Sequence, residues 1–333
     1  MATAQPGFWQ QLFRRNQGAR QQAWTATSQP PPSEPATSAA LPAAPAPPLG
    51  KLAGYTLQRV LVQGPQGALY LADAPRTGEP VALKTVRLQG SEHTRERFLH
   101  EAETAARLQH PHIVQTFASG VVSQSHEAHG WIAMEWVPGG DLIRYTTPGQ
   151  LLPEGLVLQI GAAMAEALAH AHRQGVVHRD LKPANVMFNP ANGMLKLGDF
   201  GCARLSDAER SRSGLIVGTP GYMAPEQLSG LPLDGRCDLY ALGVLLFELL
   251  TGRLPFAHAS MGQLLVAIAT EPAPRLDALR PELPPLLADV IARLLSKHAS
   301  QRHVDGTQLA RELRLLVPSC TVLPETRTKA HDA

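Results

Sequence analysis

Residues 176–188 read VVHRDLKPANVMF, and the interpretation of the whole chain starts from this stretch. It places the Asp180 carboxylate, the Lys182 ammonium and the Asn185 amide on one short loop. Each of these side chains, taken singly, is consistent with an ordinary solvated surface group. Their spacing on one loop, directly after apolar positions, indicates instead a site for polar chemistry.

A second stretch, KLGDFG at residues 196–201, places Asp199 at the end of a strand before a glycine hinge. Carboxylate and amide oxygens suit Mg²⁺, a hard cation that prefers oxygen ligands. We therefore predict a magnesium site that includes Asp199 and Asn185. Upstream, Lys84 lies in the strand-like VALK and Glu101 lies on the following helix. A strand lysine and a helix glutamate can form the ion pair that holds a phosphate-binding lysine in place.

The ordered motifs VALK, the helix glutamate, HRD-LKPAN, DFG and APE resemble those of the eukaryotic-like (Hanks-type) serine/threonine protein kinases. The likeness runs from about Tyr55 to Val317 and includes HPHIV at 110–114, GTPGYMAPEQ at 218–227 and DLYALGVLLFELLTGRLPF at 238–256. Five motifs in the family's order and at kinase-like separations leave little room for chance. LKPAN and GTPGYMAPE resemble the Ser/Thr branch rather than the Tyr branch, and the motifs as a whole look like those of soluble bacterial members.

The resemblance implies an α+β, bilobal protein-kinase fold. A small N-lobe at about 55–136 would hold an antiparallel sheet and one main helix, and a larger, mostly helical C-lobe would occupy about 141–317. Hydrophobic periodicity agrees with this division. It predicts strands at 55–62, 67–73, 81–88, Ile113–Gly120 and Trp131–Trp136, and helices at 92–108, 154–174, 238–251, 260–270, 284–296 and 306–316.

The resemblance also implies a mechanism for phosphoryl transfer from ATP. Asp180 would orient the substrate hydroxyl and accept its proton, while Lys182 would neutralise charge on the transferring γ-phosphoryl group. Asn185 and Asp199 would bind Mg²⁺, or Mn²⁺ in its place. Lys84 would hold the α- and β-phosphates. These are positioning and electrostatic roles, which suit a loose phosphoryl-transfer transition state.

The nucleotide pocket follows from the same resemblance. The residues assigned to ATP binding are Leu61, Val62, Gly64, Gly67, Leu69, Ala82, Lys84, Glu101, Met134, Glu135, Val137 and Met187. Leu69 and Ala82 would cover the adenine, and Met187 would form the floor of its pocket. Met134 matches the gatekeeper before the hinge, although a methionine is equally expected in any packed core.

The glycine-rich loop departs from the family pattern G-x-G-x-x-G. Gly64 and Gly67 match it, but Val62 stands at the position of the first glycine. Pro65 stiffens the tip and removes an N–H group that could contact phosphate. Taken alone, this segment predicts an ordinary hairpin turn. The departure concerns ATP affinity and loop closure rather than the fold.

Regulation is predicted in the segment between DFG and APE. Arg179 precedes the catalytic aspartate, where an arginine can pair with a phosphorylated residue and order this segment. Ser213, six residues before Thr219, is the first candidate phosphosite, and Ser211 is the second. The alternative is that both are solvated loop hydroxyls. Thr219 is interpreted as a contact to the catalytic loop rather than a phosphosite.

Two further predictions are structural rather than catalytic. We expect Glu226 of APE to form a buried ion pair with Arg302. We expect Asp238 to cap the long helix and to brace the catalytic loop.

The composition of the chain limits which partners and which cellular location are expected. The 333 residues carry a formal net charge of +2, which argues against broad nucleic-acid binding. The three cysteines show no pattern of a disulfide scaffold or zinc site, which favours a reducing, cytoplasmic compartment. No apolar run approaches the roughly 20 residues that a membrane span needs.

We predict four segments: a head at 1–27, a Pro/Ala-rich linker at 28–50, the kinase domain at 51–317 and a flexible tail at 318–333. The head contains FWQQLFRR, whose apolar residues fall at helical spacing. It is either a disordered head with an incidental cluster or a short amphipathic segment that docks on a partner or on a membrane surface.

Three functions compete at this stage. The first is an active Ser/Thr protein kinase with protein substrates. The second, favoured by the altered glycine-rich loop, is a pseudokinase or scaffold that binds nucleotide and partners without turnover. The third, a small-molecule kinase, is disfavoured by GTPGYMAPE, which shapes the peptide platform in protein kinases. No motif reports the physiological substrate or the oligomeric state.

Overall fold

The structure is a computed structural model, and the residues that it describes are 49–64, 67–88, 92–124, 127–200 and 220–320. The chain divides into two compact units. Among the described residues, unit 1 comprises 49–107 and 115–137, and unit 2 comprises 108–114, 138–200 and 220–320. A sheet with one helix and a mostly helical unit confirm the predicted α+β fold class.

Unit 1 is built on a six-stranded antiparallel sheet with the order β1-β2-β3-β4-β6-β5. Its strands are β1 Gly50–Leu52, β2 Tyr55–Gly64, β3 Gly67–Asp73, β4 Pro80–Leu88, β5 Thr116–Gln124 and β6 Glu127–Glu135. One face of the sheet carries a buried cluster that includes Tyr55, Val81 and Leu83. Helix α1, Glu92–Ala106, packs on β5 and β6, where Phe98 is buried. This packing fixes the helix that carries Glu101.

Unit 2 contains a short three-stranded sheet and most of the helices. The sheet has the order β7-β8-β9, with β7 Gly140–Asp141, β8 Val186–Asn189 and β9 Met194–Leu197. The helices are α2 Glu154–Arg173, α3 Pro225–Leu228, α4 Arg236–Thr251, α5 Met261–Thr270, α6 Leu276–Leu279, α7 Pro285–Leu294 and α8 Gly306–Cys320. Short 3₁₀ helices occur at Leu142–Tyr145, Pro183–Asn185, Pro220–Tyr222 and Ala299–Gln301.

Helix α4 forms the centre of unit 2, since all but three of its sixteen residues are buried. A helix that is apolar on nearly every side must be enclosed by its neighbours. Helix α2 packs against both α4 and α8, and Gly161 lies at this contact. A Cβ atom at Gly161 would lie 2.8 Å from Leu246 and 3.1 Å from Leu313. No helix within the described residues is both long and apolar enough to cross a bilayer.

The predicted starts of two strands were wrong by three residues or more. The strand predicted to begin at Ile113 begins at Thr116, because Ile113 instead forms a parallel bridge with Leu197 of unit 2. The strand predicted to begin at Trp131 begins at Glu127, because pairing with β5 extends into a polar segment that has no apolar alternation. Both errors arise from pairing with distant residues, which local patterns do not report.

Candidate active site

A buried aspartate holds the backbone of the catalytic loop, residues 176–185 between α2 and β8. Asp238 accepts hydrogen bonds from the main-chain N–H groups of His178 (2.8 Å) and Arg179 (2.7 Å). The ring Nε2 of His172 lies 2.7 Å from the same carboxylate. Burial works to raise the pKa of Asp238, but the His172 hydrogen bond and the surrounding donors outweigh it and hold the pKa below its usual value. The brace predicted for Asp238 is therefore confirmed.

The predicted helix cap was wrong. Helix α4 begins at Arg236 with Gly235 as its N-cap, so Asp238 lies inside the first turn. The Asp234 carboxylate accepts the Arg236 N–H at 2.8 Å. Asp238 cannot serve the helix end because its carboxylate oxygens already accept from the catalytic loop.

Three side chains meet on the catalytic loop. Lys182 Nζ donates to Asp180 Oδ2 at 2.6 Å. Asn185 Nδ2 donates to the Asp180 main-chain carbonyl at 2.7 Å and reaches the carboxylate at 3.3 Å. Lys182 and Asn185 are buried, whereas the Asp180 side chain keeps a third of its surface exposed. The Asp180 carboxylate is thus accessible, while Lys182 and Asn185, which donate hydrogen bonds to it, are enclosed.

The Asn185 amide is oriented so that its nitrogen donates to Asp180 and its oxygen points away from these contacts. Asn185 Oδ1 is buried and has no hydrogen-bond partner among the residues that the structure describes. An unpaired buried carbonyl-type oxygen is costly, and it is the ligand type that Mg²⁺ takes. The Gly198 N–H donates to the Asn185 carbonyl at 2.8 Å, which brings Asp199 next to this residue. Asn185 and Asp199 therefore fit a divalent cation.

The backbone of the DFG segment is held by His178. His178 is fully buried, its Nε2 lies 2.9 Å from the Gly198 carbonyl, and its ring meets Phe200 edge-on at 4.7 Å. Asp199 has φ of 66°, a left-handed conformation that is rare outside glycine. Backbone strain of this kind persists where surrounding contacts impose it, and it is common at functional sites.

In unit 1, strand register places five of the predicted nucleotide residues on one face of the sheet. Leu69 pairs with both Val62 and Lys84, and Ala82 pairs with Met134. Residues paired across strands share a face, as do Ala82 and Lys84, which are two apart on β4. Lys84 is buried at 4 % exposure. The paired residues on this face therefore form an apolar surface around Lys84.

The glycine-rich hairpin is the β2–β3 turn at residues 62–69, of which 65 and 66 lie outside the described residues. Gly64 pairs with Gly67 at its end. Gly67 has φ of 154°, and a Cβ atom there would lie 2.8 Å from the carbonyl carbon of Thr85 and closer still to its oxygen. Position 67 therefore requires glycine because the hairpin approaches β4 too closely for a side chain.

The other predicted nucleotide residues take these places. Leu61 is half-buried on β2, and Val137 is buried just after β6. The Glu135 carboxylate accepts the Gln115 N–H at 3.2 Å. Met187 lies on β8 of unit 2, paired with Asp141. Glu101 is buried on α1, with Oε1 3.6 Å from Arg97 Nε. The ion pair between Lys84 and Glu101 stays a prediction.

The ion pair predicted between Glu226 and Arg302 is confirmed. It is bidentate, with distances of 2.6 and 2.8 Å, and the Arg302 side chain is fully enclosed. The neighbouring Gln227 donates to the Arg179 carbonyl at 2.9 Å. The APE segment is therefore linked directly to the catalytic loop.

Ser211, Ser213, Thr219 and Pro65 lie outside the described residues. The sequence had not predicted a role for His172 or for Gln227. His172 precedes His178 by six residues at the end of α2, but nothing in the local pattern distinguishes it from other surface histidines.

Comparison with known proteins gives a family match. A sequence profile of the protein kinase domain matches residues 55–311. The serine/threonine-protein kinase PknJ of Mycobacterium tuberculosis is 38% identical over 267 residues, which cover 78% of this chain and 44% of that protein. The serine/threonine-protein kinase pkn3 of Myxococcus xanthus is 36% identical over 272 residues, covering 78% of this chain and 49% of that protein. The chain spans about half the length of the curated relatives it matches.

A solved structure agrees with these matches. The crystal structure of the PknI kinase domain of Mycobacterium tuberculosis superposes with a TM-score of 0.64 and 32% sequence identity. The alignment covers 81% of this chain and 100% of that domain.

Proposed function

Because this chain belongs to the protein kinase family, we propose that it transfers the γ-phosphoryl group of ATP to serine and threonine hydroxyls of proteins. The observation that carries the proposal is the hydrogen-bonded set of Asp180, Lys182 and Asn185 on the catalytic loop. The named relatives are serine/threonine protein kinases, which supports turnover rather than a scaffold role.

Asp180 supplies the base of the proposed reaction. Its partly exposed carboxylate can accept a hydrogen bond from a substrate hydroxyl and take the proton as the oxygen attacks phosphorus. Lys182 holds this carboxylate at 2.6 Å and adds a positive charge where negative charge develops on the transferring group. Asn185 holds the main-chain carbonyl of Asp180, so the loop needs little rearrangement during the reaction.

Asn185 and Asp199 would hold Mg²⁺, which neutralises phosphate charge when it is bound with ATP. The buried, unpartnered Asn185 oxygen supports this assignment. Lys84, on the apolar face with Leu69 and Ala82, would hold the α- and β-phosphates while the apolar residues enclose the adenine.

Regulation by phosphorylation is part of the proposal. Phosphoserine at 213 or 211 would pair with Arg179, whose own backbone is held by Asp238 and Gln227. Such a pair would join the segment that carries the phosphate to the catalytic loop. A cytoplasmic location is supported by the free thiols of Cys237 and Cys320, since disulfides are rare in reducing compartments. A docking role for the head stays a prediction.

The experiment measures transfer of labelled phosphate from Mg·ATP by the purified full-length protein, with sites identified by mass spectrometry. Asp180→Asn keeps the shape of the side chain but removes the base, so we expect transfer to fall by about 10²–10⁴-fold. The matched control is Asp289→Asn, an exposed aspartate on α7, which should keep wild-type transfer. Equal rates for wild type and Asp180→Asn would refute the assignment of the base.

A further inference from the structure

A short segment of unit 2, residues 110–114, holds the strand that leads to Asp199. The Leu197 N–H donates to the His112 carbonyl at 2.9 Å, and the Val114 N–H donates to the Leu197 carbonyl at 2.9 Å. Leu197 is the last residue of β9 and lies two positions before Asp199. The segment therefore fixes the end of the strand from which the proposed metal ligand follows.

The side chain of His112 makes a further contact with the same strand. Its Nδ1 lies 3.1 Å from the Leu195 carbonyl. A carbonyl oxygen can only accept, so this ring nitrogen carries a proton and donates it. His112 thus binds β9 twice, through its ring at Leu195 and through its main-chain carbonyl at Leu197.

The position of His112 depends in turn on His110. The His112 N–H donates to His110 Nδ1 at 3.2 Å. A histidine nitrogen accepts a hydrogen bond only while it is unprotonated, so His110 is neutral in this arrangement, with its proton on Nε2. Protonation would place an N–H at both ring nitrogens. Two donors would then face each other, and this hydrogen bond would be lost.

The surroundings of the half-buried His110 ring disfavour its charged form. The charged and titratable residues around it are Glu166, His170 and Arg173 of α2, its own neighbour His112, and Arg314 of α8, which is bound to Glu166. Burial is the largest cause that keeps the pKa of His110 below its ordinary 6.5; His112 and His170 lower it further, and Glu166 opposes them. Opening of the segment removes these effects, so acid favours the open state.

We propose that His110 and His112 form a pH-sensitive support of β9, which positions Asp199 for metal binding while His110 is neutral and opens when His110 is protonated. Both histidines act through the strand and are therefore positioning residues. In mild acid the segment separates from Leu195 and Leu197, and the affinity of the site for a divalent cation decreases. The inference rests on the proposed function in one respect, the metal role of Asp199.

Hydrogen–deuterium exchange with mass spectrometry measures the support in the full-length protein. The readout is the protection of the β9 peptide that contains Leu197, corrected for intrinsic exchange at each pH. Between pH 7.5 and 5.5 we expect wild type to lose up to about tenfold in protection, since the opened segment takes up one proton. His110→Asn should lose little, because an asparagine oxygen can accept the His112 N–H at either pH.

Two controls accompany the exchange measurement. His93→Asn, an exposed position on α1, should behave like wild type. A peptide of α4 reports global unfolding and should stay more protected than the β9 peptide at both pH values. Equal protection of the two peptides, an unchanged β9 peptide in wild type, or the same loss in His110→Asn as in wild type would each overturn the proposal.

A metal titration tests the positioning role at pH 7.5. Electron paramagnetic resonance measures Mn²⁺ bound together with the non-hydrolysable ATP analogue AMP-PNP, and circular dichroism verifies folding. His112→Ala removes the donor to Leu195 and should weaken Mn²⁺ binding by about two- to tenfold, the equivalent of one hydrogen bond. His112→Asn, whose amide can donate to the same carbonyl, should regain most of the affinity.

The two measurements separate this proposal from the proposed function. Wild-type Mn²⁺ affinity in His112→Ala, or an equal loss in His112→Asn, would overturn the positioning role. Absence of Mn²⁺ binding in wild type would refute the metal role of Asp199 and with it the proposed function. The exchange measurement involves neither metal nor turnover, so it decides by itself whether His110 and His112 support β9.

Discussion

The catalytic loop and the glycine-rich hairpin differ in how they are held and in how far they follow the family pattern. The loop keeps every motif residue, and Asp238 holds its backbone from inside unit 2. The hairpin departs from the pattern at Val62 and Pro65. It is held by main-chain pairing and by the Thr85 hydroxyl.

This comparison between the catalytic loop and the glycine-rich hairpin indicates where the candidate active site needs particular side chains. In the proposed reaction the loop acts through side-chain atoms, so we expect that the Asp180 carboxylate, the Lys182 ammonium and the Asn185 amide must keep both identity and position. We expect the hairpin to act through main-chain groups, so that substitution is tolerated wherever no Cβ atom collides. Gly67 is a position where a collision occurs, whereas Val62 pairs with Leu69 directly after a register shift between Val60 and Val62.

The largest effect is expected from Asp238→Ala, which removes the brace of the catalytic loop. It leaves the main-chain N–H groups of His178 and Arg179 buried without their acceptor. Removing one member of a buried charged network typically costs about 3–5 kcal/mol of unfolding free energy. Urea unfolding measures this loss, and transfer activity should fall with it.

The matched variant is Asp234→Ala, because Asp234 is exposed and its contacts are with Arg236 at the start of α4 rather than with the catalytic loop. Loss of such a capping interaction costs about 1 kcal/mol. If both variants were equally stable, Asp238 would not brace the loop.

Gly67→Ala should break the hairpin while leaving the catalytic loop intact. The added Cβ atom meets the Thr85 carbonyl, and φ of 154° is unfavourable for alanine. We expect a loss of about 1–3 kcal/mol in unfolding free energy and weaker ATP binding. Gly78→Ala serves as control, because its φ is also positive but a Cβ atom there has open space. A larger loss in Gly78→Ala would show that backbone strain alone, and not the close approach to β4, governs the hairpin.

Gln227→Ala tests the second tie to the catalytic loop with a smaller effect. Gln227 donates to the Arg179 carbonyl and accepts the Ala224 N–H at 3.0 Å. Loss of these two partly buried hydrogen bonds should cost about 0.5–1.5 kcal/mol of unfolding free energy each, measured by urea unfolding. A loss as large as that of Asp238→Ala would mean that the APE segment, rather than α4, is the main support of the loop.

Mild acid should weaken the packing of the His110 ring in unit 2 while leaving intact the hydrogen bonds by which Asp238 holds the catalytic loop. The His110 ring lies 5.3 Å from His170 and 5.7 Å from His112. Burial, followed by His112 and His170, lowers the pKa of His110; Arg173 acts in the same direction and Glu166 opposes it. Glu166 is itself held by Arg314 at 2.6 Å.

The sign of the pH effect follows from this lowered pKa. Below its ordinary value of 6.5, His110 binds a proton more readily in the unfolded chain, so the stability of the fold decreases as pH falls. The lowered pKa of Asp238 acts only in stronger acid, below the ordinary 3.8 of aspartate. Between pH 7.5 and 5.5, unfolding free energy should fall less in His110→Asn than in wild type or in the exposed control His93→Asn. Identical slopes for all three proteins would contradict this explanation.

The sequence predicts the parts of the site that are local. Asp180, Lys182 and Asn185 lie within six residues, so their meeting on one loop follows from the motif itself. The partnership of Glu226 and Arg302, far apart in the chain, was predicted correctly because the family resemblance supplied it. The role of His172 was missed because its partner Asp238 is brought to it by the packing of α2 on α4.

The errors have one physical origin. Asp238 was expected to cap α4, yet its position in the first turn turns the carboxylate toward the catalytic loop. Ile113 has an apolar, strand-like neighbourhood, yet it bridges to Leu197 instead of starting β5. Local propensity is consistent with both outcomes, and tertiary pairing decides between them.

The most direct test is the separation of kcat from KM for ATP in two variants, Lys182→Gln in the catalytic loop and Val62→Gly in the hairpin. A group that acts on the transferring phosphoryl should lower kcat by about 10²–10³-fold with KM little changed. Restoring the first glycine of the hairpin should change KM by less than about tenfold and leave kcat near wild type. A wild-type kcat in Lys182→Gln, or a larger change of kcat in Val62→Gly than in Lys182→Gln, would contradict the roles proposed for the catalytic loop and the hairpin.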